Sequence, residues 1–430
     1  MLGSRNKLEQ IFLKLKTRVE KERVFSKTYP GTAIAEADAS DKRAHEGWRN
    51  SPLDGRIVSI KDLFDIAGEP TLAGSVVRKT AANASEDAVI VQRLRAAGAV
   101  IIGKTHMTEF AFTAVGLNPH YGVPANAIDP RYVPGGSSSG AAVSVAEGTS
   151  EIAIGSDTGG SVRIPAALNG LVGFKPTAKR IPLQGAFPLA PSLDSIGPIA
   201  RTVADCILAD AIMAGEAPIL PAPAVLSELT LALPEGVLLA DMEPEVNDAF
   251  QRSLQALQAA GVRIVPFELN DLVFKLCKAT SIGSIAGIEA SQIHAQTWLQ
   301  DPAANVDERV KHSLAQRLNI SEKDYQSLMQ TRQSLIAEMD RRLADVDFLV
   351  TPTTPIVAPT IASVSDDKHE YERVETLLLR NTQVANQFDL CSITLPMPVI
   401  GMPVGLMLTG RNGADKQLLA AALSVENLLS

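Results

Sequence analysis

The chain has 430 residues, of which 46% are hydrophobic and only 4% aromatic, and its formal net charge is −8. This supplies a large aliphatic, Ala-rich interior, and the acidic balance argues against nucleic acid or an anionic membrane surface as partner. No apolar run reaches the roughly 18 residues of a membrane span. Cys206, Cys277 and Cys391 are odd in number, far apart and without ligand spacing, and the N-terminus lacks the apolar stretch of a signal peptide. The reading is a soluble cytoplasmic protein with no metal site.

Over residues 2–24, Leu8, Ile11, Phe12 and Leu15 recur at helical spacing among Lys and Glu, which predicts a surface helix. Gly55-Arg-Ile-Val-Ser-Ile-Lys61 is a β-branched strand that delivers Lys61 at its end. An amphipathic helix over 86–97 is closed by Gly98, and Ala99-Val-Ile-Ile102 follows as a buried strand. The same grammar recurs with a helix over 244–260, Gly261 and the strand Val262-Arg-Ile-Val265. Residues 215–228 are Pro-rich and read as a linker or an edge crossing. Two solvent-facing helices are predicted within 303–346. A strand at Phe348-Leu-Val follows and runs into a Pro-rigid loop. Ser392-Ile-Thr-Leu395, Gly405-Leu-Met-Leu-Thr409 and a helix over 413–429 complete the chain. Alternating strands and helices define an α/β protein with a large, mixed, mostly parallel central sheet covered by helices on both faces. No internal boundary is strong, so 1–430 is read as a single domain, with 1–50 a helical segment packed on it.

The densest signal is Pro134-Gly-Gly-Ser-Ser-Ser-Gly140 followed by Gly155-Ser-Asp-Thr-Gly-Gly-Ser-Val-Arg-Ile-Pro165. Glycines this frequent let backbone approach a ligand closely, and hydroxyls within such loops are candidate nucleophiles. Surface linkers would have the same composition, but the alanines and aliphatics between the loops imply a buried helix. Three motif matches fail on context. Gly98-Ala-Val-Ile-Ile-Gly103-Lys104-Thr105 fits a phosphate loop, yet its middle is itself a strand. Asp157-Thr158-Gly159 resembles the aspartic-protease triplet but has no second copy to share a proton. Gly136-Ser-Ser138-Ser-Gly140 fits a nucleophile elbow, but prolines break the segment before it. The histidines after it, His294, His312 and His369, lie in polar or charged surroundings and are read as surface residues.

A constellation without histidine remains. Ser161 follows two glycines at a loop-to-helix junction, where clustered backbone N–H groups suit an oxyanion hole. With no suitable His, its base must be Lys, Asp or Glu, and Lys61 is the best placed. An ordinary lysine titrates near 10.4, so holding it neutral at pH 7 costs about 4.6 kcal/mol unless burial lowers that value. The alternative is that Lys61 is simply ion-paired to Asp62 or another carboxylate.

At these residues the chain resembles the amidase signature family, the Ser–Ser–Lys amide hydrolases. The resemblance runs from about Pro52 to Asn427. It rests on Ser59-Ile-Lys61-Asp62, Gly103-Lys-Thr-His-Met-Thr-Glu-Phe-Ala111, the two Gly/Ser loops, Gly173-Phe-Lys-Pro-Thr177, Leu193-Asp-Ser-Ile-Gly-Pro198, Thr351-Pro-Thr-Thr-Pro355 and the Leu395-Pro396 and Pro403-Val-Gly-Leu406 segments. It implies the amidase-signature fold, Ser161 as nucleophile, Ser137 as bridging serine after a cis peptide bond, and Lys61 as base. It further implies that Thr158, Gly159, Gly160 and Ser161 form the oxyanion hole and that Asp157 and Arg163 support the loops without reacting. No cofactor is implied. The segment after Phe110 looks more like stand-alone bacterial amidases and biuret-derivative hydrolases than the glutaminase subunit of the tRNA-dependent amidotransferase. The implied activity is hydrolysis of a small-molecule carboxylic or urea-like amide to an acid plus ammonia or amine through a seryl acyl-enzyme. The alternative is the glutamine-hydrolysing subunit of the amidotransferase complex. Phe110, Phe112 and His120 are read as core packing ahead of pocket walls, and the acyl pocket is expected from 120–133 and 300–345. A homodimer and a small partner subunit both stay open.

Overall fold

The structure, a computed structural model, describes residues 3–18 and 23–430. Among these, eleven strands form one sheet: β1 (Phe25–Thr28), β2 (Ile57–Lys61), β3 (Val100–Thr105), β4 (Ile152–Asp157), β5 (Val172–Lys175), β6 (Ser195–Ala200), β7 (Thr230–Pro234), β8 (Arg263–Phe267), β9 (Phe348–Pro352), β10 (Cys391–Pro396) and β11 (Gly405–Gly410). Their order is β1-β3-β2-β4-β6-β5-β10-β11-β9-β7-β8. The predicted N-terminal helix is present as Ser4–Lys16. Residues 1, 2 and 19–22, at its two ends, lie outside the described residues.

The α/β class and the helical cover are as expected, but parallel pairing makes four of the ten junctions, fewer than the sequence grammar suggested. It occupies two flanks, β3-β2-β4 and β9-β7-β8. These flanks contain the two αβ units visible in the sequence. The helix Val89–Ala96 feeds β3 and the helix Pro244–Ala259 feeds β8. Gly98 stops the first helix in a left-handed conformation (φ 88°) that a side chain would resist. Between the flanks the junctions are antiparallel. There β10 and β11 are joined by 397–404 alone, too few residues for the crossover that a parallel pair needs. The Pro-rich segment 215–228 is irregular apart from one short turn of helix, and it lies against the C-terminal helix through Ala224 N–H, which donates to the Ala420 carbonyl.

Strand β4 shows how the layers assemble. Its alternation puts Ile152 and Ile154 into the main core with Val203 and Cys206 of the helix Val203–Ala214. Ala153 points the other way, onto Ala141, Ala142 and Val145 of the helix Ser139–Ala146. Each fully buried isoleucine contributes about 1.5–3 kcal/mol. The small residues on the opposite side let that helix lie close: a Cβ on Gly155 would come 2.7 Å from Ser138 Oγ. The Gly/Ser loop is therefore seated directly on the sheet.

Candidate active site

Alternation in β2 sends Val58 and Ile60 into the main core, so Ser59 and Lys61 face the other side. That side carries the helix Ser139–Ala146, and Ser59 Oγ lies 3.0 Å from Ser144 Oγ. Lys61 is fully buried there, its Nζ 2.7 Å from Ser137 Oγ and 2.8 Å from Ser156 Oγ. Asp62 points away from it and pairs with Lys104 at 3.4 Å, so the simple ion-pair alternative does not hold. Burial pulls Lys61 down to about 7, against the opposing charges of Asp157 and Asp194.

Ser137 follows a cis peptide bond from Gly136. Its carbonyl accepts from Thr108 N–H at 3.1 Å, and Gly136 N–H donates to the Ala114 carbonyl at 2.6 Å. Ala114 N–H in turn donates to Glu375, 2.9 Å from each carboxylate oxygen. Burial pushes the Glu375 carboxyl up to about 7, although the backbone N–H groups of Ala114 and Val115 favour its ionised form.

Ser161 sits on the loop after β4, 6% exposed. Beneath it, Arg163 and Asp157 form an ion pair with both side chains fully buried. Asp157 also accepts from the N–H of Val162 and from the Asn386 amide. Burial alone would raise the Asp157 carboxyl, but the charge and hydrogen bonds of Arg163 outweigh it and hold the group at about 2. Arg163 continues the network to the Thr382 carbonyl (2.8 Å), and the Thr382 hydroxyl donates to the Gly159 carbonyl (2.7 Å). Thr158 Oγ1 donates to Asp194 at 2.6 Å. The N–H groups of Thr158, Gly159, Gly160 and Ser161 donate to no backbone carbonyl among the described residues. They are free to bind a developing negative charge. Ser161 meets the other loop through its carbonyl, which accepts from Ser138 N–H at 3.3 Å, and no hydrogen bond joins the Oγ atoms of Ser137 and Ser161.

All the residues expected from the sequence thus gather at the C-terminal ends of β2 and β4, the end of a parallel sheet where ligands usually bind. Sequence reasoning missed Ser156, Asp194, Thr382, Asn386 and Glu375. Ser156 stands next to Asp157 and Asp194 lies within a quoted motif, so both were within reach. Thr382, Asn386 and Glu375 come from the helix Lys368–Gln387, which has no local motif. The phosphate-loop match is a strand, with Lys104 buried between Asp62 and Glu69 at 3.4 Å from each. His312 and His369 are exposed as read, but His294 is not. It is buried against Phe110 and Trp298, on the face of the helix Ile285–His294 that also buries Ile288 and Ser291. Phe110 is core and cavity wall at once. Phe112 is half-buried, and His120 pairs with the buried Glu109 at 3.1 Å.

Glycine-rich serine loops around a buried lysine, on a mixed sheet covered by helices, define a class of amide-hydrolysing enzymes. Residues 9–419 match the Amidase family, and the chain belongs to it. It is 35% identical over 412 residues to the 2-amino-5-chloromuconic acid deaminase of Comamonas testosteroni, covering 94% of this chain and 88% of that one. With one of the subunits of the glutamyl-tRNA(Gln) amidotransferase of Chloroflexus aggregans it shares 33% identity over 432 residues, covering 92% and 87%. A crystal structure of an amidase superposes with a TM-score of 0.88 at 32% identity, covering 100% of this chain and 97% of the other. No helix among the described residues is long and apolar enough to cross a membrane.

Proposed function

We propose that this amidase-family enzyme hydrolyses a carboxylic or urea-like amide through an acyl-enzyme on Ser161. The observation that supports this most is the 2.7 Å approach of Lys61 Nζ to Ser137 Oγ, at a lysine whose burial brings it to about 7. Neutral Lys61 takes the Ser137 proton while Ser137 takes that of Ser161, and Ser161 Oγ attacks the carbonyl carbon. The N–H groups of Thr158 to Ser161 hold the oxyanion. Collapse breaks the C–N bond, and the proton returns along the relay to the leaving nitrogen, which departs as ammonia or amine. Water, deprotonated by the same relay, then releases the acid. Ser156 holds Lys61 in place, while Asp157, Arg163 and Asp194 keep the oxyanion loop in shape.

Only the neutral amine can accept a proton, so kcat/KM is expected to rise with pH, by about tenfold per pH step well below the lysine's titration, and to level off above about pH 7. A flat profile between pH 5 and 9 would contradict a titrating lysine. Gly160 has φ 137°, and a Cβ there would strike Thr382. Gly160→Ala is therefore expected to lower kcat about ten- to a hundredfold through strain in the oxyanion loop, with a smaller change in KM. Steady-state kinetics on any accepted amide measure both.

The 33% identity to an amidotransferase component favours a second reading, a protein that releases ammonia from glutamine for a partner. Ammonia release from glutamine by the isolated chain, compared with a panel of simple amides, separates the two. Rapid turnover of simple amides supports hydrolysis in its own right, and turnover of glutamine alone supports the second reading.

A further inference from the structure

Beside the Lys61 end of the sheet lies a cavity of about 450 Å³, within the range of small-molecule sites. Its walls are tied to the catalytic segments by backbone hydrogen bonds. Phe187 N–H donates to the Leu63 carbonyl, two residues beyond Lys61. Phe110 follows shortly after Thr108, whose N–H holds the Ser137 carbonyl, and its own N–H donates to the Ala73 carbonyl. The expected pocket segments 120–133 are absent from its lining, and 300–345 contributes only Asp301 and Ala304.

The cavity has flat apolar walls, and its lining includes two side chains that can donate hydrogen bonds, Arg78 and His294. Phe110 and Trp298 are stacked, with ring centroids 5.2 Å apart and planes 9° from parallel, and Phe187 lies 5.9 Å from Phe110. Trp298 Nε1–H donates to His294 Nδ1 at 2.9 Å. An indole nitrogen can only donate, so neutral His294 must carry its proton on Nε2. That Nε2 is buried and has no partner. Burial, reinforced by the charge of Arg78, pushes His294 down to about 4, so the ring is neutral at neutral pH. The Arg78 guanidinium lies 4.3 Å over the Phe187 ring. Its Nε donates to the Thr71 carbonyl, and Asp65 and Asp62 act on it without a direct ion pair among the described residues. Asp301, the one carboxylate of the lining, is exposed at the rim and accepts from Ala303 N–H.

A buried donor without an acceptor and a half-buried cation in no direct ion pair among the described residues are each costly, although Asp65 and Asp62 act on Arg78 from a distance. One anionic acceptor placed between aromatic walls would relieve both. We infer that this cavity receives the acyl part of the substrate, and that the preferred acyl group is a flat unsaturated or aromatic unit bearing a carboxylate remote from the scissile amide, held by Arg78 and His294. The inference rests on the hydrolase reading for its link to catalysis, but the binding itself is measurable without turnover.

The chain has two tryptophans, and Trp48 is half-exposed at the surface, so Trp48→Phe leaves Trp298 as the sole indole reporter. In that background benzoate is expected to quench Trp298 at about tenfold lower concentration than benzyl alcohol, the value of one hydrogen bond to a charged group. Arg78→Met is expected to remove the difference. In hydrolysis, 4-carboxyphenylacetamide is expected to exceed phenylacetamide about tenfold in kcat/KM, with the ratio falling toward one in Arg78→Met. Equal quenching by the two ligands overturns the inference without any variant. So does a substrate ratio near one in the parent enzyme, while leaving the hydrolase reading intact. Charge-dependent quenching without hydrolysis of any amide supports the cavity assignment and sinks the hydrolase reading.

Discussion

Ser161→Ala is expected to abolish amide turnover, lowering kcat by about a millionfold, as removal of a hydroxyl nucleophile from a relay that acts as a unit does elsewhere. The fold should survive, because Ser161 Oγ forms no hydrogen bond among the described residues and only a small polar atom is lost. Lys61→Ala and Ser137→Ala are each expected to lose several orders of magnitude, and the double variant little more than either alone, since each breaks the same proton path. Multiplicative losses in the double variant would mean that Lys61 and Ser137 act independently. Full activity in Ser161→Ala would end the acyl-enzyme account, and a folded, inactive variant is the expected result.

The second large effect is on stability. Asp157→Ala leaves the fully buried Arg163 guanidinium without its carboxylate, and removing one partner of such a pair costs about 3–5 kcal/mol. The same change removes the acceptor for Val162 N–H and the Asn386 amide, so the loop over residues 158–161 loses its floor. The surface pair of Lys275 and Asp271 supplies the contrast, because both side chains are about half exposed. Lys275→Ala is expected to cost less than about 1 kcal/mol. Denaturant unfolding of the two variants beside the parent chain measures the difference, and equal costs would mean that the buried pair adds nothing to the fold.

How much was readable in the chain depends on the range of each interaction. Gly98 and Gly261 end helices locally, so the two αβ units, and with them the parallel flanks, were visible from spacing. The antiparallel centre was not, because nothing near Val172–Lys175 states that its partners are β6 and β10. At the site, the short strand ending at Lys61 and the dense Gly/Ser stretch brought out Lys61 and Ser161, while Ser137 was singled out only by the family resemblance. Glu375 and Asn386 reach the same loops from more than 200 residues away, over 261 and 229 positions, and no local pattern encodes such a contact. His294 was misread for a related reason. Ser291, Gln292, Gln296 and Thr297 surround it in sequence, whereas its neighbours in space are Phe110, Phe187 and Trp298.

The most direct test of the central claim is intact and peptide mass spectrometry of the enzyme quenched during turnover of an activated p-nitrophenyl ester, whose acylation outpaces deacylation. The account predicts a single acyl group on the peptide containing Ser161, formed at neutral pH by the parent enzyme and orders of magnitude more slowly by Lys61→Ala. An acyl group on any other side chain, or an unchanged rate of labelling in Lys61→Ala, would contradict it.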